Sequence, residues 1–125
     1  MTKAIIICHG QLAFDFCNTL KKLYGPVSEI YPFSNEFLAP EILFREVADT
    51  IRKNDSSPFV IMVDLRGGNC WKIGKMLTKE FQKVKLLSGV NIPMLVSFVN
   101  KKDRFDFEEL VTIIEQDSHR GIVLE

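Results

Sequence analysis

His9 follows the apolar run Ala4-Ile5-Ile6-Ile7-Cys8 and precedes Gly10. Asp64 ends a second such run, Phe59-Val60-Ile61-Met62-Val63, with Gly67-Gly68 three residues beyond. Each polar residue stands where a buried strand gives out and a turn begins. In a parallel α/β sheet the carboxyl ends of the strands border the ligand crevice. If the two strands are neighbours, the histidine and the aspartate face each other across that crevice. Such a pair can use the imidazole as nucleophile or base, because the carboxylate fixes its tautomer. The plainer readings are a hydrogen-bonded loop histidine and an aspartate that caps the next turn.

Those two strands belong to a chain whose bulk properties fit one small α/β domain spanning residues 1–125. Hydrophobic residues make up 46%, and sixteen basic residues balance sixteen acidic ones. The broad cationic field of a nucleic-acid binder is therefore absent, and no nucleic-acid partner is expected. No apolar stretch approaches the roughly 20 residues of a membrane span. Met1-Thr2-Lys3 leads into an apolar run too short for a signal peptide. Three cysteines without metal-ligand spacing point to a reducing compartment, with neither a disulfide framework nor a metal site. A cytoplasmic domain is the reading.

Strand and helix patterns alternate along the chain. Lys3 to Cys8 is a continuous β-branched run, the pattern of a strand covered on both faces. From Gln11 to Tyr24 the apolar residues Ala13, Phe16, Cys17, Leu20, Leu23 and Tyr24 recur at helical spacing, and Gly25-Pro26 stops the helix. Glu29 to Phe33 can be a short strand, which Pro32 confines to an edge. Pro40 opens a helix through Arg52, and the loop Asn54–Ser57 precedes the buried strand Pro58 to Asp64. Past the glycine pair, Asn69 is placed to cap a helix with the stripe Ile73, Met76, Leu77 and Phe81.

Val84 to Ser88 reads as a fourth strand, and Gly89 to Pro93 as its turn into another helix. Asp106 and Glu109 form a capping-box-like start to a last helix carrying Phe107, Leu110, Val111 and Ile114. After His119-Arg120-Gly121, Ile122-Val123-Leu124 reads as a final short strand, and His119 as a C-terminal helix cap. Phe14, Phe16, Phe44, Phe81 and Trp71 read as core or interface residues.

Three segments together carry a family resemblance. Ile5-Ile6-Ile7-Cys8-His9-Gly10, then Val63-Asp64 followed by Gly67-Gly68, then Ser88-Gly89-Val90-Asn91-Ile92-Pro93-Met94-Leu95, resemble the signatures of enzyme IIA of the mannose family. Those proteins are phosphocarrier domains of the bacterial sugar phosphotransferase system. The resemblance spans essentially the whole chain, and the Gly-Val-Asn-Ile-Pro-Met-Leu segment is its most specific part. It implies a doubly wound sheet of four parallel strands, order 2-1-3-4. A C-terminal antiparallel strand, exchanged between the subunits of a homodimer, would complete the sheet.

The implied chemistry is phosphoryl relay without cofactor or metal. Phospho-HPr is the donor, a IIB domain the acceptor, and membrane IIC and IID subunits are indirect partners. His9 matches the phosphorylated histidine. Asp64 would hold Nδ1–H so that Nε2 attacks, and Gly10, Gly67, Gly68 and Asn69 would supply amide or side-chain donors to the phosphoryl group. The family commonly has Ser-Pro where this chain has Asn69-Cys70. Arg66 adds a positive charge suited to a phosphoryl group or an acidic partner surface. Cys8 and Cys70 raise a thiol-based chemistry as a rival. A regulatory phospho-acceptor of the same fold, not coupled to transport, also stays open, as does a non-catalytic binding module. The sugar stays open too, because a IIA domain does not touch it.

Overall fold

The two apolar runs become adjacent central strands, and the site follows from that adjacency. The computed structural model describes residues 1–125. Its elements are β1 (Lys3–Cys8), α1 (Leu12–Tyr24), β2 (Ile30–Ser34), α2 (Pro40–Lys53), β3 (Phe59–Val63), α3 (Asn69–Glu80), β4 (Val84–Ser88), α4 (Ile92–Lys101) and α5 (Phe107–Arg120). The four strands form one parallel sheet in the order β2-β1-β3-β4. From β1 the chain moves first to β2 on one side, then across to β3 on the other. The switch point of the sheet therefore lies between β1 and β3, where Ile7 is level with Val63.

Right-handed crossovers then decide which helix covers which face. α1, α4 and α5 pack on Ala4, Ile6, Cys8, Val60 and Met62. α2 and α3 pack on Ile5, Ile7, Phe59, Ile61 and Val63. Every residue from Ala4 to Cys8 and from Phe59 to Val63 is fully buried, which is why both segments read as unbroken apolar runs rather than alternating ones. β2 is an edge strand, and Pro32 sits opposite Ile6 without interrupting an interior ladder.

The turn after β4 is secured by Asn91. Its Oδ1 accepts from the Met94 amide at 2.8 Å, capping α4, and its Nδ2 donates to the Ser118 carbonyl at 3.2 Å. The neighbouring Val90 amide donates to the Val63 carbonyl at 3.0 Å, which ties this turn to the end of β3. Asp106 caps α5 by accepting from the Glu109 amide at 3.0 Å.

Some boundaries differ from those read in the sequence. α1 begins at Leu12, with Gln11 as the cap residue, and α2 runs on to Lys53. β2 starts at Ile30 rather than Glu29, because Glu29 has φ +72° and so cannot continue an extended strand. Ile122-Val123-Leu124 forms no strand within the chain and is exposed. A strand needs a pairing edge, and within one chain nothing pairs with this segment. No helix is long and apolar enough to cross a membrane.

Candidate functional site

β1 and β3 end side by side, so the residue after each strand meets the other. The His9 backbone amide donates to Asp64 Oδ2 at 2.9 Å, and His9 Nδ1 lies 2.9 Å from the same oxygen. A carboxylate only accepts, so the ring nitrogen facing it carries the proton. Nδ1–H donates to Asp64, and Nε2 keeps its lone pair. The two side chains also differ in exposure: His9 is 46% exposed and Asp64 only 15%. The imidazole thus leans into solvent from a carboxylate set in the protein.

Burial alone would push the Asp64 carboxyl up. The hydrogen bonds from the His9 amide and ring, together with the charge the ring can carry, outweigh that and hold it below the usual carboxylate range. Both bonds fall on Oδ2, while the buried Oδ1 has no hydrogen-bond partner in the chain. Asp64 is therefore committed to His9 and to nothing else.

The turn from β3 to α3 passes under the ring. Gly67 has φ +87°, a left-handed conformation open to glycine at little cost. At Gly68 a Cβ would stand in ordinary van der Waals contact with the ring, 3.4 Å from His9 Cε1 and 3.9 Å from Nε2. The backbone therefore comes close to the exposed nitrogen. α3 starts immediately beyond, and its first intrahelical bond runs from the Lys72 amide to the Gly68 carbonyl. The amides ahead of Lys72 have no helical acceptor and form an anion-favouring helix start.

Gly68 is the cap residue of α3, and its extended backbone makes no side-chain cap bond. This corrects the expectation for Asn69, which is instead the first residue of the helix. Asparagine is favoured at caps, but the glycine pair absorbs the turn one residue earlier. Gly10, also left-handed at φ +60°, lies on the opposite side of His9. A Cβ on it would be 3.6 Å from Glu36 Oε1, and Glu36 accepts from Gln11 Nε2 at 3.4 Å. No motif marks Glu36 in the sequence, because only the pairing of Cys8 with Ser34 brings its turn here.

Cys70 Sγ lies 3.9 Å from His9 Nδ1. His9, Asp64 and Cys70 offer donor atoms all within 4.8 Å of one another, the spacing of a metal-ligand set. Two features oppose a thiol reading. Nδ1 is taken by Asp64, and burial followed by the Asp64 charge pushes the Cys70 thiol up to about 11. Burial and the same carboxylate push Cys8 up to about 12. The thiolate is the nucleophile and metal ligand, and neither cysteine favours it.

Arg66 lines a groove beside α3 and β4 with Trp71, Lys75 and Lys85. His119 lines another, near Ser88, Asn91 and Ile122. Neither groove is lined by His9 or Asp64, and the His9 side chain is 46% exposed. The pair stands on an open surface that suits a macromolecular partner better than an enclosed small molecule.

Fold and site together define an open parallel α/β domain with a carboxylate-oriented histidine at its switch point. The family model EIIA-man, described as PTS system fructose IIA component, matches residues 3–115, and the chain belongs to that family. The mannose-specific EIIAB component of the PTS from Escherichia coli K12 is 28% identical over 130 residues, covering 98% of this chain and 39% of the relative. The chain thus spans about two-fifths of the length of that relative. The phosphotransferase component EIIA from Streptococcus agalactiae superposes with a TM-score of 0.89 at 26% identity, covering 99% of this chain and 97% of its own. The mannose/sorbose specific IIA subunit from Enterococcus faecalis shares the fold, with a TM-score of 0.86 at 16% identity and coverage of 99% and 94%. Family membership places the chain among the IIA components of the PTS.

The lowered Asp64 pKa makes a pH-dependent contribution to stability. A depressed native pKa stabilises the fold fully above the unfolded value of about 3.9, and the contribution is lost as pH falls through the native value. Urea unfolding of wild type and Asp64→Asn should therefore show a stability gap at neutral pH that shrinks below about pH 4. A gap that stays constant down to about pH 2 would show that the carboxylate charge does not hold this corner together.

Proposed function

We propose that the protein is a phosphocarrier of a sugar phosphotransferase system in the cytoplasm. His9 Nε2 takes the phosphoryl group from phospho-HPr and passes it to a IIB domain, which serves uptake and phosphorylation through membrane IIC and IID subunits. The observation that carries this reading is the 2.9 Å contact of Nδ1 with Asp64, which in the neutral ring leaves the lone pair on Nε2 of a half-exposed side chain. In the transfer, a bond forms between Nε2 and phosphorus as the bond from phosphorus to the donor imidazole breaks. The donor ring keeps the electron pair of the broken bond. The His9 ring gains positive charge, which Asp64 stabilises through Nδ1–H.

Phosphoryl transfer depends mainly on positioning and electrostatic stabilisation. The helix start after Gly68 and the turn at Gly67 would supply amide donors to the equatorial oxygens, with Gly10 and the Asn69 side chain as further contacts. Arg66 would contribute positive charge toward an acidic partner surface. The relay uses no cofactor. A binding module without chemistry would have no use for a buried carboxylate committed to one exposed imidazole, so that reading is disfavoured.

We also propose a homodimer in which Gly121 to Glu125 adds an antiparallel strand to the partner's sheet. Ile122, Val123 and Leu124 are exposed in the single chain, and β4 is an edge strand. Truncation after Arg120 should convert a dimer to a monomer in sedimentation equilibrium. A full-length chain that sediments as a monomer at micromolar concentration contradicts the exchange.

Phosphoenolpyruvate, enzyme I and HPr should together place an acid-labile phosphate on Nε2 of His9, mapped by NMR of the phosphohistidine. His9→Ala should lose all labelling while its circular dichroism stays that of wild type. Undiminished labelling of that variant would move the acceptor elsewhere, with His119 the other histidine.

A further inference from the structure

Three exposed apolar side chains stand at the end of the sheet that carries His9. Leu12 follows it by three residues, Leu65 comes directly after Asp64, and Phe37 lies in the turn after β2. Leu65 is 62% exposed and Phe37 98%. Phe37 also has φ +61°, the left-handed region that disfavours a residue with a Cβ. Glycine or asparagine would hold this turn with less strain. A strained residue whose ring touches almost nothing is kept neither by its backbone nor by packing. Strain of this kind concentrates at functional sites.

The turn is fastened to the His9 loop. The Asn35 amide donates to the Cys8 carbonyl at 3.2 Å, and Glu36, the residue before Phe37, accepts from Gln11. β1 and β2 are hydrogen-bonded neighbours, so Phe37 projects from the strand-end surface one strand away from His9. Transfer between two proteins requires the donor phosphorus to come within about 3–3.5 Å of Nε2. A protein that approaches so closely on an open surface must lie on the residues around it.

Resting on the phosphocarrier reading above, we propose that Phe37 is the apolar anchor of the docking surface for the phosphoryl-donor protein. Leu12 and Leu65 complete a collar around His9. The donor must then carry an apolar patch beside its phosphohistidine, with a recess that takes the ring. A second copy of this chain seated on the collar would shut His9 off from every donor, and the acceptor meets His9 only once it is phosphorylated; the unphosphorylated ring is the state the donor meets, so the donor is the occupant. Buried aromatic anchors of this type dominate interface energetics, and they act on binding rather than on the reacting atoms.

The test compares wild type, Phe37→Ala and Phe37→Gly with two donors, phospho-HPr and the small phosphoryl donor phosphoramidate. KM for phospho-HPr should rise at least ~10-fold in both variants, as for a truncated hot spot, with kcat little changed. The phosphoramidate rate should stay within about twofold of wild type, because Phe37 does not touch the imidazole. The unfolding midpoint should hold for alanine, which keeps the Cβ, and hold or rise for glycine, which relieves the strain.

A KM for phospho-HPr within about twofold of wild type in both folded variants overturns the anchor. Equal slowing with both donors also overturns it, by placing Phe37 in the chemistry. A changed oligomeric state with unchanged KM overturns it in favour of a second copy as the occupant. Failure of the phosphocarrier reading looks different: the wild-type protein then takes no phosphate on His9 from either donor.

Discussion

One carboxylate oxygen holds the site together. Asp64 Oδ2 receives both the backbone amide and the ring nitrogen of His9, and in doing so it joins the ends of β1 and β3. Hydrogen bonds to a charged group are worth about 1.5–3 kcal/mol each. Here they act at the switch point, just beyond the last paired residues Ile7 and Val63. In the proposed relay the same contact decides the chemistry. With Nδ1–H pinned, the free lone pair of the neutral ring is at Nε2, and the glycine turn and helix start would face the transferring anion.

Much of this was legible in the sequence because it rests on local patterns with strong physical causes. Two unbroken apolar runs bounded by turn residues suit strands buried on both faces, and a polar residue ending each marks the carboxyl end of the sheet, where ligands bind in such folds. Pro32 assigned its strand to an edge, and Asn91 and Asp106 stand at helix starts as their cap preferences require. The strand order came from family resemblance, since periodicity alone does not say which strands are neighbours.

The features that escaped the sequence depend on tertiary register or on competition between neighbouring residues. Asn69 has the chemistry of a cap, yet the flexible Gly67-Gly68 pair completes the turn first, so Asn69 falls inside the helix. Glu36 and Phe37 come to the His9 end of the sheet only because Ser34 pairs with Cys8, a relation no spacing rule contains. Glu29 looks compatible with a strand, but its φ of +72° takes it out of extended backbone. Cys70 carried a thiol reading that burial and the Asp64 charge oppose, and both effects are tertiary.

The most direct measurement is the rapid-quench rate of phosphoryl transfer from phospho-HPr to wild type and to Asp64→Asn. Asparagine keeps the shape but can present an amide donor to Nδ1, favouring the tautomer with the proton on Nε2. Ring orientation by Asp64 requires a folded variant that accepts phosphate at least ~10²-fold more slowly, the scale of a positioned acid–base partner. Turn capping alone would spare the rate, because asparagine caps about as well as aspartate. Rates within about threefold of each other, well short of the ~1.4 kcal/mol of a tenfold effect, would assign Asp64 to the fold and contradict its part in the chemistry.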